Sequence, residues 1–165
     1  MEIIARLIIF CFLITFTAKG QFNLNAWEKQ DNERRQQVIE KGIVDSLFVF
    51  GKWTEGGMTD ELHLTYLGQV TTIDSHVFKI MNYNLIWGLA HRGTQRILIF
   101  NDKNQYVGEY GAVTMFLPKK LENGILIFQN DEVQYCEQKI TKVYLTKGLP
   151  KSFLHCGSPF TFGSL

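Results

Sequence analysis

Four histidines, His63, His76, His91 and His155, stand singly along the chain, so any reactive site has to be assembled from distant segments. The best set is Glu61, His63 and His91. Glu61–Leu67 alternates cleanly, with Leu62, Leu64 and Tyr66 on one face of a strand and Glu61, His63 and Thr65 on the other. His91 closes the run Leu85–His91, on the same side as Trp87. Two imidazoles and a carboxylate are ligands that zinc accepts, and on facing neighbour strands they would support a metal-assisted hydrolase. On a solvated face the same residues hold nothing, and His91-Arg92-Gly93 reads equally as a hairpin end. Among the remaining carboxylates, Glu55, Asp60, Asp74, Asp102 and Glu132 sit in or near turn-forming stretches. Glu109 lies within a strand, but no spacing nominates the second carboxylate that a glycosidase needs.

The chain contains no P-loop, dinucleotide-binding glycine pattern, HExxH, GxSxG or paired CxxC. Nothing calls for a cofactor, and the sequence reads as non-enzymatic. Cys136 and Cys156 are an even pair once Cys11 is set aside, and in an oxidising compartment they are expected to form a disulfide. Two inert thiols are the alternative, as is a Cys156 nucleophile. His155 is badly placed as a base for Cys156, because adjacent strand residues point to opposite sides.

The aromatics offer the other kind of chemistry. Trp53, Tyr66, Trp87, Tyr106 and Tyr110 could line a ligand cavity or form a platform for a partner. Core filling is the commoner use of such rings, and Trp87, beside Leu85, Ile86 and Leu89, is expected in the core. Trp53 follows Gly51-Lys52 and precedes a polar loop, which makes it a rim residue at a strand end.

These residues need elements to place them. Residues 26–41 form a helix: Asn25 and Glu28 make a capping box, and Lys41 then Gly42 end it. Its apolar positions are only Trp27, Val38 and Ile39, so Arg34-Arg35 is expected on a solvated face. From 43 to 146 the period changes to short strands: Ile43–Phe50, Glu61–Leu67, Val77–Met81, Leu85–His91, Ile97–Phe100, Tyr106–Tyr110, Ala112–Leu117, Ile125–Phe128, Val133–Cys136 and Ile140–Leu145. The segment Ile97-Leu98-Ile99-Phe100 returns as Ile125-Leu126-Ile127-Phe128, each followed by a polar turn and a tyrosine, as in repeated hairpins. Leu149-Pro150 and Ser158-Pro159 mark a loop-rich or edge-strand tail. The expected fold is mainly β, an antiparallel barrel or barrel-like sandwich with one N-terminal helix.

Gly51-Lys52-Trp53, after a short helix and before a run of antiparallel strands, resembles the entry of a lipocalin-type barrel. That resemblance implies a cavity for a small apolar ligand. The C-terminal helix usual after such a barrel is not visible here.

The chain has 165 residues, with 17 Lys+Arg against 16 Asp+Glu, which removes the electrostatic case for nucleic-acid binding. Residues 1–20 have the layout of a signal peptide: Arg6, an apolar stretch over Leu7–Phe16, and Ala18-Lys19-Gly20 before the cut. An uncleaved anchor is the alternative. Cleavage leaves a single β-rich domain over 21–165, formally neutral, with no transmembrane segment. The implied address is the periplasm or the exterior of a bacterial cell. The expected function is that of a small exported binding protein, monomeric, recognising a protein or envelope component as an inhibitor, immunity-type or accessory protein. Carriage of a small apolar ligand is the alternative.

Overall fold

The computed structural model describes residues 24–57, 59–111, 116–131 and 133–163. The expected signal peptide, and most of the strand expected over Ala112–Leu117, lie outside the described residues. The chain divides into two compact units, residues 1–32 and 33–165. The described part of the first is the opening of helix α1 (Leu24–Lys41). The rest of α1 belongs to the second unit, together with ten strands: β1 (Leu47–Gly51), β2 (Glu61–Thr71), β3 (Val77–Trp87), β4 (Arg92–Asn101), β5 (Tyr106–Gly111), β6 (Lys120–Glu122), β7 (Ile125–Gln129), β8 (Ile140–Tyr144), β9 (Ser152–His155) and β10 (Ser158–Gly163).

Strands β1 to β5 run as an antiparallel meander, β6 to β8 form a separate three-stranded sheet, and the chain returns to place β10 beside β5 with β9 outside it. The large sheet has the order β1-β2-β3-β4-β5-β10-β9 and does not close, so the mainly β fold is a barrel-like sandwich, with β1 and β9 as its edges.

The large sheet is buried on both faces at its centre. Ile97, Leu98, Ile99 and Phe100 of β4 all have 0% exposure. On one face Ile97 and Ile99 join Ile80, Tyr110, Phe160 and Leu67 in a cluster completed by Leu126, Phe128, Val143 and Leu145 of the small sheet and its margin. On the other, Leu98 and Phe100 pack with Leu62, Leu64, Tyr66, Met81 and Tyr83 under Val38 and Ile39 of α1. A β-bulge in β2 between Tyr66 and Gly68 inserts Leu67, and that extra residue turns the following side chains toward the small sheet.

Two aliphatic side chains are a thin cover for a sheet face, and cations extend it. Arg34 lies 5.6 Å from the Phe50 ring centre, Arg35 5.0 Å from Tyr83 and Lys41 5.0 Å from Phe48. Each such contact contributes about 0.5–2 kcal/mol when partly desolvated, and the stems cover apolar surface. Arg34 and Arg35 are therefore half-buried, which corrects the expectation of a solvated face. Gly42 ends the helix as expected, at φ 61°.

Three other expectations change. The strand expected over Val77–Met81 runs on without a break to Trp87, since Asn82 and Asn84 fit the alternation of a half-covered face, while Gly88–His91, expected as strand, form the β3–β4 turn. Residues Val133–Cys136 are turns rather than a strand, and Tyr135 is exposed, so the second copy of the hairpin pattern stops after β7. The tail forms β9 and β10. Pro159 is tolerated because pairing with β5 is confined to Thr161–Gly163.

Cys136 in the β7–β8 connection and Cys156 in the β9–β10 turn form a disulfide, with Cα atoms 4.7 Å apart. No thiol remains there to act as a nucleophile. Beside the bond, His155 is 1% exposed and stacks on Phe128 at 4.3 Å between ring centres, with Phe116 and Phe160 around it. Inside the loop, buried Asn130 donates to Gln138 O at 2.7 Å and to Thr141 Oγ1 at 3.1 Å.

Two outcomes follow from this corner. Replacing Cys136 and Cys156 by serine should lower unfolding free energy by about 3 kcal/mol, the chain-entropy value for a loop of this length, as measured by urea denaturation. Burial holds the His155 imidazole below its ordinary pKa of 6.5. The unfolded chain then binds a proton that the fold refuses, so stability is full above about pH 6.5 and declines as pH falls below it. A His155→Leu variant should lose that decline between pH 7 and 5; an unchanged slope would show that another group causes it.

Candidate functional site

Two turns meet at one end of the large sheet. The first leaves β1 through Gly51, whose φ is 77° and where a Cβ would stand 2.5 Å from Asp60 O; only glycine fits without displacing backbone. Trp53 follows, and its indole Nε1 donates to Gly88 O in the β3–β4 turn at 2.9 Å. His91, at φ 50° in that turn, packs its ring 4.3 Å from Trp53.

Glu61 joins these parts. One carboxylate oxygen is 2.5 Å from His63 Nε2, and the other accepts the Trp53 amide at 3.2 Å. The hydrogen bond from His63, then that from the Trp53 amide, holds the Glu61 pKa below the usual carboxylate range, helped by charge on His63 and His91. The expected trio thus gathers at one end, but as a latch: Glu61 pins His63 and the loop, while His91 is engaged with Trp53. Among the described residues no three His, Cys, Asp or Glu side chains converge as a metal shell.

The aromatic candidates part company. Tyr66 and Tyr110 are core residues, the latter with its hydroxyl donated to Pro150 O at 2.7 Å. Burial raises the pKa of both phenols, so neither ionises near neutral pH. Tyr106 donates to Glu109 at 2.9 Å, and Glu109 also pairs with Arg96. Glu109 is therefore a structural anion on the helix-covered face. Trp87, the last residue of β3, is 39% exposed rather than buried, with Arg92 5.6 Å from its ring. Only Trp53 and Trp87 reach the rim.

A second feature was not legible as a site. The small sheet covers only part of its face of the large sheet, and cross-strand rows Val49–His63–Asn84–Gln95 and Leu47–Thr65–Asn82–Ile97 run out from under it to the β1 edge. Over the second row opens a cleft of about 670 Å³. Leu47, Thr65 and Asn82 form its floor, and Phe116–Lys120 with Gln129, Asp131 and Val133 form its wall. Asn82 Nδ2 donates to Pro118 O at 2.8 Å, while Asn82 Oδ1, like Gln95 Oε1, is buried with no hydrogen-bond partner among the described residues. A buried acceptor left unmade costs roughly 1–3 kcal/mol. The signal lay in the alternation Met81, Tyr83, Leu85 against Asn82, Asn84, which reads as strand once the turn-forming character of asparagine is discounted.

The latch can be tested directly. Glu61→Gln should release the loop 52–60, accelerating its cleavage in limited proteolysis several-fold while the thermal midpoint moves little; unchanged cleavage would mean that Trp53 alone holds the loop. Compared with known protein families, curated proteins and solved structures, the chain matches no family model, no curated protein and no solved structure.

Proposed function

We propose that this chain is an exported, non-catalytic binding protein that recognises another protein or an envelope component through the cleft beside Asn82, in the manner of an inhibitor, immunity-type or accessory protein. The observation that carries this reading is the cleft itself. It is walled by apolar Phe116, Leu117, Pro118 and Val133, rimmed by Asp45, Asp131, Lys119 and Lys120, and floored by Leu47, Thr65 and Asn82. Such mixed chemistry suits a peptide-like segment, which brings N–H donors and side chains of both kinds. The groups that resemble catalytic ones, Glu61 with His63 and Glu109 with Arg96, are engaged in holding structure. Export rests on the signal-peptide layout of residues 1–20 and is supported by the disulfide. Among the described residues no helix is long and apolar enough to cross a membrane.

Carriage of a small apolar ligand draws less support, because the space between the sheets is filled by the Ile99, Tyr110, Phe128 and Phe160 cluster. The test is cross-linking in the native host followed by native mass spectrometry, comparing the wild type with Lys119→Glu/Asp131→Lys. Both positions are exposed, so the fold should survive. A protein partner held by the wild type and lost at least tenfold by the variant supports the reading. A partner kept equally by both places recognition elsewhere, and a bound apolar mass without a protein favours the carrier.

A further inference from the structure

We infer that strand β1 is a self-association edge, and that two copies of this chain pair β1 antiparallel about Val49 to continue the sheet from one protomer into the other.

β1 is the terminal strand of the large sheet and its inner side is fully paired, Leu47 to Gly51 against Thr65 to Glu61 without a bulge. Among the described residues no strand pairs with its outer side, which offers a row of backbone donors and acceptors. Edges of this kind are ordinarily blunted by lysine, proline, a bulge or a covering loop, and Leu47-Phe48-Val49-Phe50-Gly51 contains no such residue. The surface beside it is apolar: Ile43, Val44, Leu47 and Val49 are each about half exposed, at 51%, 49%, 59% and 50%. Four such residues along one edge mark an interaction surface rather than scattered surface apolar groups.

The strand is complementary to itself. A two-fold axis at Val49 sets Val49 against Val49, Phe48 against Phe50 and Leu47 against Gly51. Because this register pairs odd with odd and even with even positions, it makes a hydrogen-bonded ladder whichever set points outward. On one face the four Leu47 and Val49 side chains of two copies form a single apolar strip, and on the other each Phe48 faces a Phe50 across the seam. At each end of the paired strands the exposed Asp45 that precedes β1 in one copy comes to the end where the other copy carries its exposed Lys52, so the two-fold axis brings opposite charges to both ends of the seam. Arg34 and Lys41, already lying over Phe50 and Phe48, place positive charge along the helix side of the seam, and their repulsion keeps the association reversible.

This departs from the expected monomer, and the edge adjoins the cleft, whose lining includes Asp45 and Leu47, but the inference concerns only a second copy. Sedimentation velocity and light scattering on the purified protein, from micromolar to millimolar, should show a dimer that dissociates on dilution. Val49→Lys puts two lysines against each other at the axis and should give a monomer with an unchanged circular dichroism spectrum. A protein that stays monomeric throughout, or a dimer unmoved by Val49→Lys, overturns the inference. The register has its own test: Val49→Cys should cross-link two copies on mild oxidation, whereas Leu47→Cys, opposite Gly51, should not. Cross-linking by Leu47→Cys alone, or equally by both, would also overturn it.

Discussion

A β-sheet whose central strand is apolar on both faces must be covered twice, and that requirement organises this chain. In β4, four consecutive residues have no solvent exposure. Burying each side chain is worth about 1.5–3 kcal/mol, and none of it is gained unless water is excluded above and below. The two covers are unlike. The small sheet lies on one face with a dense aromatic and aliphatic cluster; α1 lies on the other with Val38, Ile39 and a row of cations over rings. The β2 bulge serves the same requirement, because it lets one strand supply Leu62, Leu64 and Tyr66 to the helix side and Leu67 and Val70 to the sheet side.

Most of the fold could be read from residue periodicity. Strand alternation at Glu61–Leu67, the doubly apolar Ile97–Phe100 and the glycine stop at Gly42 each state their local structure, because one interaction dominates there. The errors fall where two interactions compete. Asn82 and Asn84 are turn formers by local hydrogen bonding, yet ladder pairing with β2 and β4 on both sides outweighs that preference. Val133–Cys136 looks like a strand by composition, but the disulfide and the bonds of Asn130 hold it as turns. Arg34 and Arg35 look solvated because a hydropathy pattern counts charge and ignores the stem and the ring beneath it.

The candidate site was legible in one part and hidden in another. Glu61 and His63 share a face by simple parity, and they do touch. That they form a latch rather than a metal shell depends on Trp53 and His91, whose meeting is set by two turns with left-handed backbone at Gly51 and His91. The cleft was hidden because it forms between segments far apart in sequence, with Leu47, Thr65 and Asn82 on one side and Phe116–Lys120 on the other.

The same unequal covering explains why the two edges of the large sheet differ. At β9, the adjoining turn is tied by Cys136–Cys156 to the small sheet's loop, and its partner strand contains Pro159, so that margin is fixed by covalent and steric means. At β1 the small sheet has ended and the helix reaches only as far as Phe48 and Phe50 through its cations. What remains there is an apolar edge beside a polar-floored cleft, both left incomplete by the fold's own covering elements. A core this well filled does not require surplus apolar surface at its margin for stability. Part of that surplus lies at the β1 edge, where Ile43, Val44, Leu47 and Val49 are each about half exposed, and pairing of that edge as inferred above would cover it.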